Sequence, residues 1–342
     1  VPEPMGITTG GALNTNTAGN TAVDALIGAS ATRVNYNVDG SGLAAAVIDT
    51  GINYNHPALG KGYGPDKKVV GGYDFAEKDS DPYAPGTQHA TATAGLIASD
   101  DSRNPGVAPG ADIVSLRVFD NNGKGDFERV ANALQWVIDN HRAYSISVVN
   151  LSLADGRNYA NDWFTGDGNI GERISNLIDK LDALGIPVVS ASGNSFVGRQ
   201  GMGFTAILPN TLSVSASDPS DQFLANAQRL SDAVGGKAST DIVAPGKGLF
   251  APADDTGFNA VEGTSFSAPV VSGAVILLQD IYKSRFGALP STDDVESWLK
   301  QGAELFTDSA TGDTFRRLDI AKSASLIPSP TPPPAATPAP AP

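Results

Sequence analysis

Short apolar runs alternate with helical patterns between residues 41 and 326, and this alternation restricts the fold more than any other feature of the sequence. The runs at 43–48, 113–118, 148–153, 187–191 and 212–216 are β-rich and bounded by turn residues. A half-exposed strand alternates polar with apolar residues, whereas a continuous apolar run suits a strand covered on both faces. Helical patterns separate the runs, at 89–99, 127–141, 170–184 and 265–286. The third is plainly amphipathic. This order predicts an α/β fold, doubly wound, with a mostly parallel sheet and helices on both faces. In such folds ligands meet the carboxyl ends of the strands.

The two ends read differently. Residues 328–342 are Pro, Ala, Ser and Thr alone. Such a segment cannot bury a core and is expected to be an extended linker or tail. Residues 1–40 are rich in Gly, Asn, Thr and Ala, and are expected to form an irregular arm that is helical only at 21–27. Residues 41–327 are expected to be one domain.

Composition removes several classes of function. The 342 residues carry 23 Lys+Arg against 37 Asp+Glu, a formal charge of 23 − 37 = −14, which argues against nucleic acid as a partner. With no cysteine there is no disulfide, thiol nucleophile or thiolate metal site. Three histidines disfavour a multi-histidine metal centre. No stretch approaches the roughly 18 consecutive apolar residues of a membrane span. A start at Val1, without leader or initiator Met, is expected of a processed chain.

Four polar residues stand where chemistry could occur. Asp49 ends the first apolar run, before Thr50-Gly51, and could equally be a turn former. His89 opens a small-residue helical stretch, where it could also be a capping or core histidine. Ser265 lies at the head of the long apolar helix. That is an ordinary N-cap position, but one that aims backbone N–H groups and the positive dipole end at whatever the hydroxyl attacks. Asn194 follows Ala191-Ser192-Gly193 just past a strand. It could be a turn residue, or could donate to a developing oxyanion.

Together the four are far more specific. The order Asp49, His89, Ser265, with Asn194 between the last two, resembles the subtilisin-like serine proteases, the subtilases, over about residues 43–326. Asp49-Thr50-Gly51 with His56-Pro57 and Leu59 resembles the aspartate motif of that family. Gly263-Thr264-Ser265 with Ser267-Ala268-Pro269 and Gly273 resembles its serine motif. Val107-Ala108-Pro109-Gly110-Ala111, Val243-Ala244-Pro245-Gly246 and Arg317-Leu318-Asp319 match further segments.

The resemblance implies a serine endopeptidase. Asp49, His89 and Ser265 would be its triad, and Asn194 with the Ser265 backbone N–H its oxyanion hole. Gly123, Lys124 and Gly125 on one side, and Ser152, Leu153, Ala154 and Asp155 with Ser192 and Gly193 on the other, would bind an extended peptide. It further implies polypeptide substrates, an N-terminal propeptide in the precursor, a monomer and an extracellular location. No cofactor is needed for the chemistry. A structural calcium is compatible with the family and with an acidic chain, and the loop at 100–104 lies where some relatives bind it, but no ligands are assigned. The sequence departs from the family at Ala90 and Ala92, where Gly and His are usual, at Ala154 and Asp155, where Gly-Gly is usual, and at Phe266, often Met.

Other readings are weaker. A catalytically silent subtilase acting as a binding or surface module is the alternative from a different class, motivated by Ala90, Ala154 and the Pro-rich end. A second Asp-Thr-Gly, at Asp255, raises an aspartic protease, but it follows a polar turn and not a strand. The string Gly166-x-Gly168-x-x-Gly171 has no strand before it, which argues against dinucleotide binding. His56 and His141 are expected to be structural.

Overall fold

The computed structural model describes residues 19–84, 88–163 and 168–330. Residues 1–18 of the expected arm and 331–342 of the expected tail lie outside them. Its strands are β1 (Ala44–Asp49), β2 (Val69–Asp74), β3 (Asp112–Arg117), β4 (Ile146–Leu151), β5 (Val188–Ala191), β6 (Thr211–Ser217), β7 (Ile242–Pro245), β8 (Leu249–Ala253), β9 (Gly257–Val261), β10 (Glu304–Thr307) and β11 (Thr314–Arg317). Its helices are α1 (Thr21–Leu26), α2 (Ala29–Tyr36), α3 (His89–Ala98), α4 (Phe127–Asn140), α5 (Ile170–Ala183), α6 (Asp232–Gly235), α7 (Thr264–Phe286), α8 (Thr292–Gly302) and α9 (Ile320–Ser325). Nine strands form one sheet in the order β10-β11-β7-β6-β5-β4-β1-β3-β2, and β8 and β9 form a separate hairpin. Every pairing in the large sheet is parallel except that between β10 and β11. The doubly wound, mostly parallel α/β fold expected from the sequence is the fold observed.

Strand β1 shows why the fold forms. All six of its residues are buried. Ala45 and Val47 face a core shared with α3 and α7, while Ala44, Ala46 and Ile48 face a second core built on α4 and α5. The two-residue period of a strand thus divides one apolar run between two layers of helix. The helices start where polar side chains satisfy their first N–H groups. Asp126 accepts from the Arg129 N–H at the head of α4, and Asn169 from the Gly171 and Glu172 N–H groups at the head of α5.

Helix α7 agrees with the expectation of no membrane span. Its 23 residues are long and apolar enough to cross a membrane by length and composition, yet 94% of the apolar window is buried. It is the central helix of one core, apolar all round because it is covered all round.

The N-terminal segment differs from the irregular arm expected for it. Besides α1, residues Ala29–Tyr36 form α2. Their apolar spacing is weak, and tertiary contacts hold the helix. Arg33 pairs with Asp24 at 2.5 Å and donates to the Val107 carbonyl at 2.9 Å, while Val23, Ile27 and Ala29 join the core of α3 and α7.

Candidate active site

Three neighbouring strands, β5, β4 and β1, deliver polar groups at their carboxyl ends. Asp49 is the last residue of β1, Ser152 follows β4, and Asn194 lies three residues after β5. Helices α3 and α7 pack against one another on that side of the sheet and begin with His89 and with Thr264-Ser265.

Asp49 and His89 meet in the interior. The His89 Nδ1–H donates to the Asp49 carboxylate, with the two oxygens at 2.8 and 2.9 Å. Asp49 is 1% exposed and His89 6%. The same carboxylate accepts from the Thr50 N–H at 2.6 Å, and the Thr50 hydroxyl accepts from the Ala90 N–H at 3.2 Å. The aspartate turn is thereby tied to the first turn of α3. The other ring nitrogen, His89 Nε2, is buried and makes no hydrogen bond among the described residues. The His89 ring packs on Phe266, with centroids 5.4 Å apart, so the imidazole lies against the turn of α7 that carries Ser265. No hydrogen bond joins Nε2 to the Ser265 hydroxyl in this state. Such contacts commonly tighten only when substrate is present.

Ser265 is held from behind. Pro269 lies inside α7 and has no N–H, so the carbonyl four residues earlier, that of Ser265, loses its helical donor. The Ser152 hydroxyl takes that place, donating to the Ser265 carbonyl at 2.7 Å. Ser152 in turn accepts from the Asn150 amide at 2.9 Å, and the Ser272 hydroxyl donates to the Asn150 carbonyl oxygen at 2.9 Å. A buried polar chain therefore runs from β4 to α7 beneath the hydroxyl.

Asn194 is fixed just as firmly. Its carbonyl oxygen accepts from the Thr264 N–H at 3.0 Å and from the Thr264 hydroxyl at 3.1 Å. Gly263 before them has φ +134, a conformation disfavoured for residues with a Cβ. Ser265 (9% exposed), Asn194, Gly193, Ser152, Leu153 and Ala154 line one small pocket. The Ala154 methyl lies 3.0 Å from where a Cβ would stand on Gly203 and 3.7 Å from the same point on Gly193, and Ala154 is part of the pocket lining.

Other expected binding residues are placed elsewhere or are otherwise engaged. Asp155 does not line the pocket. Its carboxylate accepts from the Tyr159 hydroxyl at 2.7 Å and from the Arg157 and Phe204 N–H groups at 3.2 and 3.3 Å. Burial first, and Asp155 second, push the Tyr159 phenol above its ordinary value, so it remains the donor. The Ser192 hydroxyl donates to the Gln228 carbonyl at 2.5 Å and is likewise absent from the lining. Gly123 and Lys124 form an exposed turn, with φ +72 at Gly123, capped by the Asp120 carboxylate, and Gly125 bridges back to Phe119. None of the three lines the pocket of Ser265.

His56 is fully buried. Its Nδ1 accepts from the Ala58 N–H at 3.1 Å and its Nε2–H donates to the Gly257 carbonyl at 2.9 Å, a structural role. His141 caps the end of α4 and donates to the Ile138 carbonyl at 2.8 Å. Asp255 is exposed in the turn of the β8–β9 hairpin, and Asp49 is engaged by His89 and Thr50 instead. Residues 166–167 of the glycine string lie outside the described residues. The loop at 100–104 is held by its own hydrogen bonds. Asp101 Oδ1 is committed to the Arg103 and Asn104 N–H groups, and among the described residues no three His, Asp or Glu side chains gather closely enough to hold a metal ion.

The sequence profile described as "Subtilase family" matches residues 40–318. The chain belongs to the subtilase family. It is 31% identical over 245 residues to subtilisin E of Bacillus subtilis, covering 70% of this chain and 56% of that protein. It is 30% identical over 243 residues to thermitase of Thermoactinomyces vulgaris, covering 70% and 76%. Halolysin of Haloferax mediterranei is 28% identical over 294 residues, covering 84% and 50%. The chain thus spans little more than half the length of several curated relatives. Among solved structures, a cold adapted subtilisin-like serine proteinase superposes with TM-score 0.65 at 28% identity, over 83% of this chain and 90% of that one. The prenylagaramide maturation protease PagA shares the fold, with TM-score 0.68 at 21% identity over 87% and 97%.

Sequence reading missed Gln228, which underlies the turn carrying Asn194. Its own stretch has no motif or periodicity, and only the folded chain brings it under that turn.

Proposed function

We propose that this subtilase is a serine endopeptidase that hydrolyses peptide bonds through an acyl-enzyme on Ser265. One observation carries the proposal. A buried Asp49–His89 pair holds the imidazole by Nδ1, its ring packs on Phe266 next to Ser265, and Nε2 has no hydrogen-bond partner among the described residues.

Ser265 Oγ attacks the scissile carbonyl carbon, and His89 Nε2 takes its proton. Asp49 keeps Nδ1 protonated, so Nε2 is the basic nitrogen, and it stabilises the imidazolium that forms. The carbonyl oxygen becomes an oxyanion, met by the Asn194 amide and the Ser265 backbone N–H. Collapse expels the amine, which takes the proton from Nε2. Water then repeats the sequence on the ester. None of these steps requires a cofactor.

The peptide enters as an extended strand along the carboxyl edge of the sheet. Ala154 limits the pocket beside Ser265, so a small side chain is favoured immediately before the scissile bond. Substrates are polypeptides, the working form is a monomer released from a propeptide, and its place is outside the cell. The silent-subtilase reading is not favoured, because Asp49, His89, Ser265 and Asn194 are all present. Digestion of an unfolded protein by wild type and by Ser265→Ala tests the proposal. Cleavage is expected from the first alone, and equal cleavage by both overturns the role of Ser265.

A further inference from the structure

We infer that Gln228 is a positioning residue for the oxyanion donor, holding the turn 192–195 in the geometry that Asn194 needs. This inference rests on the reading of Ser265 and Asn194 just given, and extends it to a residue that touches neither the nucleophile nor the base.

Gln228 is fully buried, and every hydrogen-bonding group it has is used inside the protein. Its Oε1 accepts from the Ser195 N–H at 3.2 Å, immediately after Asn194. Its backbone N–H donates to the Gly193 carbonyl at 2.8 Å, immediately before. Its own carbonyl accepts from the Ser192 hydroxyl at 2.5 Å and the Ser215 hydroxyl at 2.7 Å. Asn194 is therefore bracketed by bonds to a single residue. On the far side, Gln228 Nε2 donates to the Arg157 carbonyl at 2.8 Å and to Asn158 Oδ1 at 2.7 Å, in the segment that continues the wall of the pocket.

Gly193 shows how closely the parts fit. Its φ is +105, and a Cβ there would stand 2.1 Å from Gln228 Oε1. The turn can take this path only with glycine at 193 and the amide of 228 lying against it. The segment around Gln228 is itself anchored. The Phe196 N–H donates to the Asn226 carbonyl at 3.0 Å and the Gly201 N–H to the Arg229 carbonyl at 2.9 Å. Arg229 lies over the Phe196 ring at 3.6 Å and pairs with buried Asp308 at 3.0 Å. The turn is thus draped over a rigid support.

An oxyanion donor acts only in the transition state, and misplacement by about 1 Å costs on the order of 100-fold in rate. Loss of the Gln228 amide should therefore lower kcat and leave KM nearly unchanged. The test is a double-mutant cycle on a short chromogenic peptide, with turnover expressed per Ser265 titrated by a fluorophosphonate. Gln228→Met keeps the length of the side chain and removes its donors and acceptor. Gln228→Glu keeps the acceptor for Ser195 but sets a carboxylate against Arg157 O and Asn158 Oδ1. In each, kcat should fall by about 10- to 100-fold with KM within about 2-fold. In an Asn194→Ala background the same changes should cost less than about 3-fold, since the group they position is gone. A melting temperature lowered with turnover per titrated site intact overturns the inference, as does an equal loss in both backgrounds. If the fluorophosphonate does not label wild type, or Asn194→Ala alone is harmless, the reading of the site has failed, and not only the role of Gln228.

Discussion

Thr264 grips Asn194 twice, its N–H and its hydroxyl both donating to the Asn194 carbonyl oxygen, at 3.0 and 3.1 Å. A backbone N–H can only donate, so the atom facing it must be the oxygen. The orientation of the amide follows, and Nδ2 is the end that can oppose negative charge. Asn194→Ala should lower kcat by about 100- to 1000-fold with little change in KM, the loss that removal of one such donor costs in a subtilisin. Thr264→Val keeps the N–H grip and should cost less. Steady-state kinetics on a peptide substrate decide it, and a change confined to KM would contradict the assignment.

Ser152 replaces the helical donor that Pro269 denies to the Ser265 carbonyl. Ser152→Ala leaves that buried carbonyl unsatisfied and should lower the unfolding free energy by about 1–3 kcal/mol, with reduced turnover as the head of α7 relaxes. Denaturant unfolding measures the first and kinetics the second. A variant as stable as wild type would mean that the bond contributes nothing.

Ala154 lines the pocket beside Ser265. Wild type should favour Ala, Gly or Ser immediately before the cleaved bond. Ala154→Gly should raise kcat/KM for Leu or Phe at that position by about 10-fold or more relative to Ala, the range expected when one or two methylenes gain room. A peptide-library digest read by mass spectrometry shows the preference. A wild type that already prefers Phe would contradict the prediction.

Much of this was legible in the sequence, and what was not has physical causes. The strands of the sheet centre were readable because they are apolar without interruption, and Asp49, His89, Asn194 and Ser265 because each sits beside a small-residue motif at a strand or helix end. Strand β2 was not, since its two glycines and edge position break the pattern, nor was β7, four residues ending in Pro245. Helix α2 escaped because Arg33, Asp24 and the Val107 carbonyl hold it, contacts that no local pattern records. Asp155 read as pocket wall, yet Tyr159 and two backbone N–H groups occupy its carboxylate. Gln228 was invisible because its importance lies in its partners, all distant in sequence.

His56 links stability to pH. Desolvation by burial holds its imidazole below the ordinary 6.5, and the neutral ring both accepts from Ala58 and donates to Gly257. The unfolded chain therefore binds the proton more readily than the folded one. The His56 contribution is complete above about 6.5 and declines as pH falls toward the folded value. His56→Asn keeps an acceptor for Ala58 and removes the titration. The melting-temperature advantage of wild type over His56→Asn should shrink from about pH 7.5 to about pH 5, and a constant difference would contradict the linkage.

In the proposed mechanism Asp49 and His89 make the Ser265 hydroxyl a nucleophile. Labelling with a fluorophosphonate, located by peptide mass mapping, reads that reactivity. A single adduct is expected, on Ser265, formed at least about 1,000-fold more slowly in His89→Ala. An adduct on another residue, or a rate untouched by the loss of the imidazole, would contradict it.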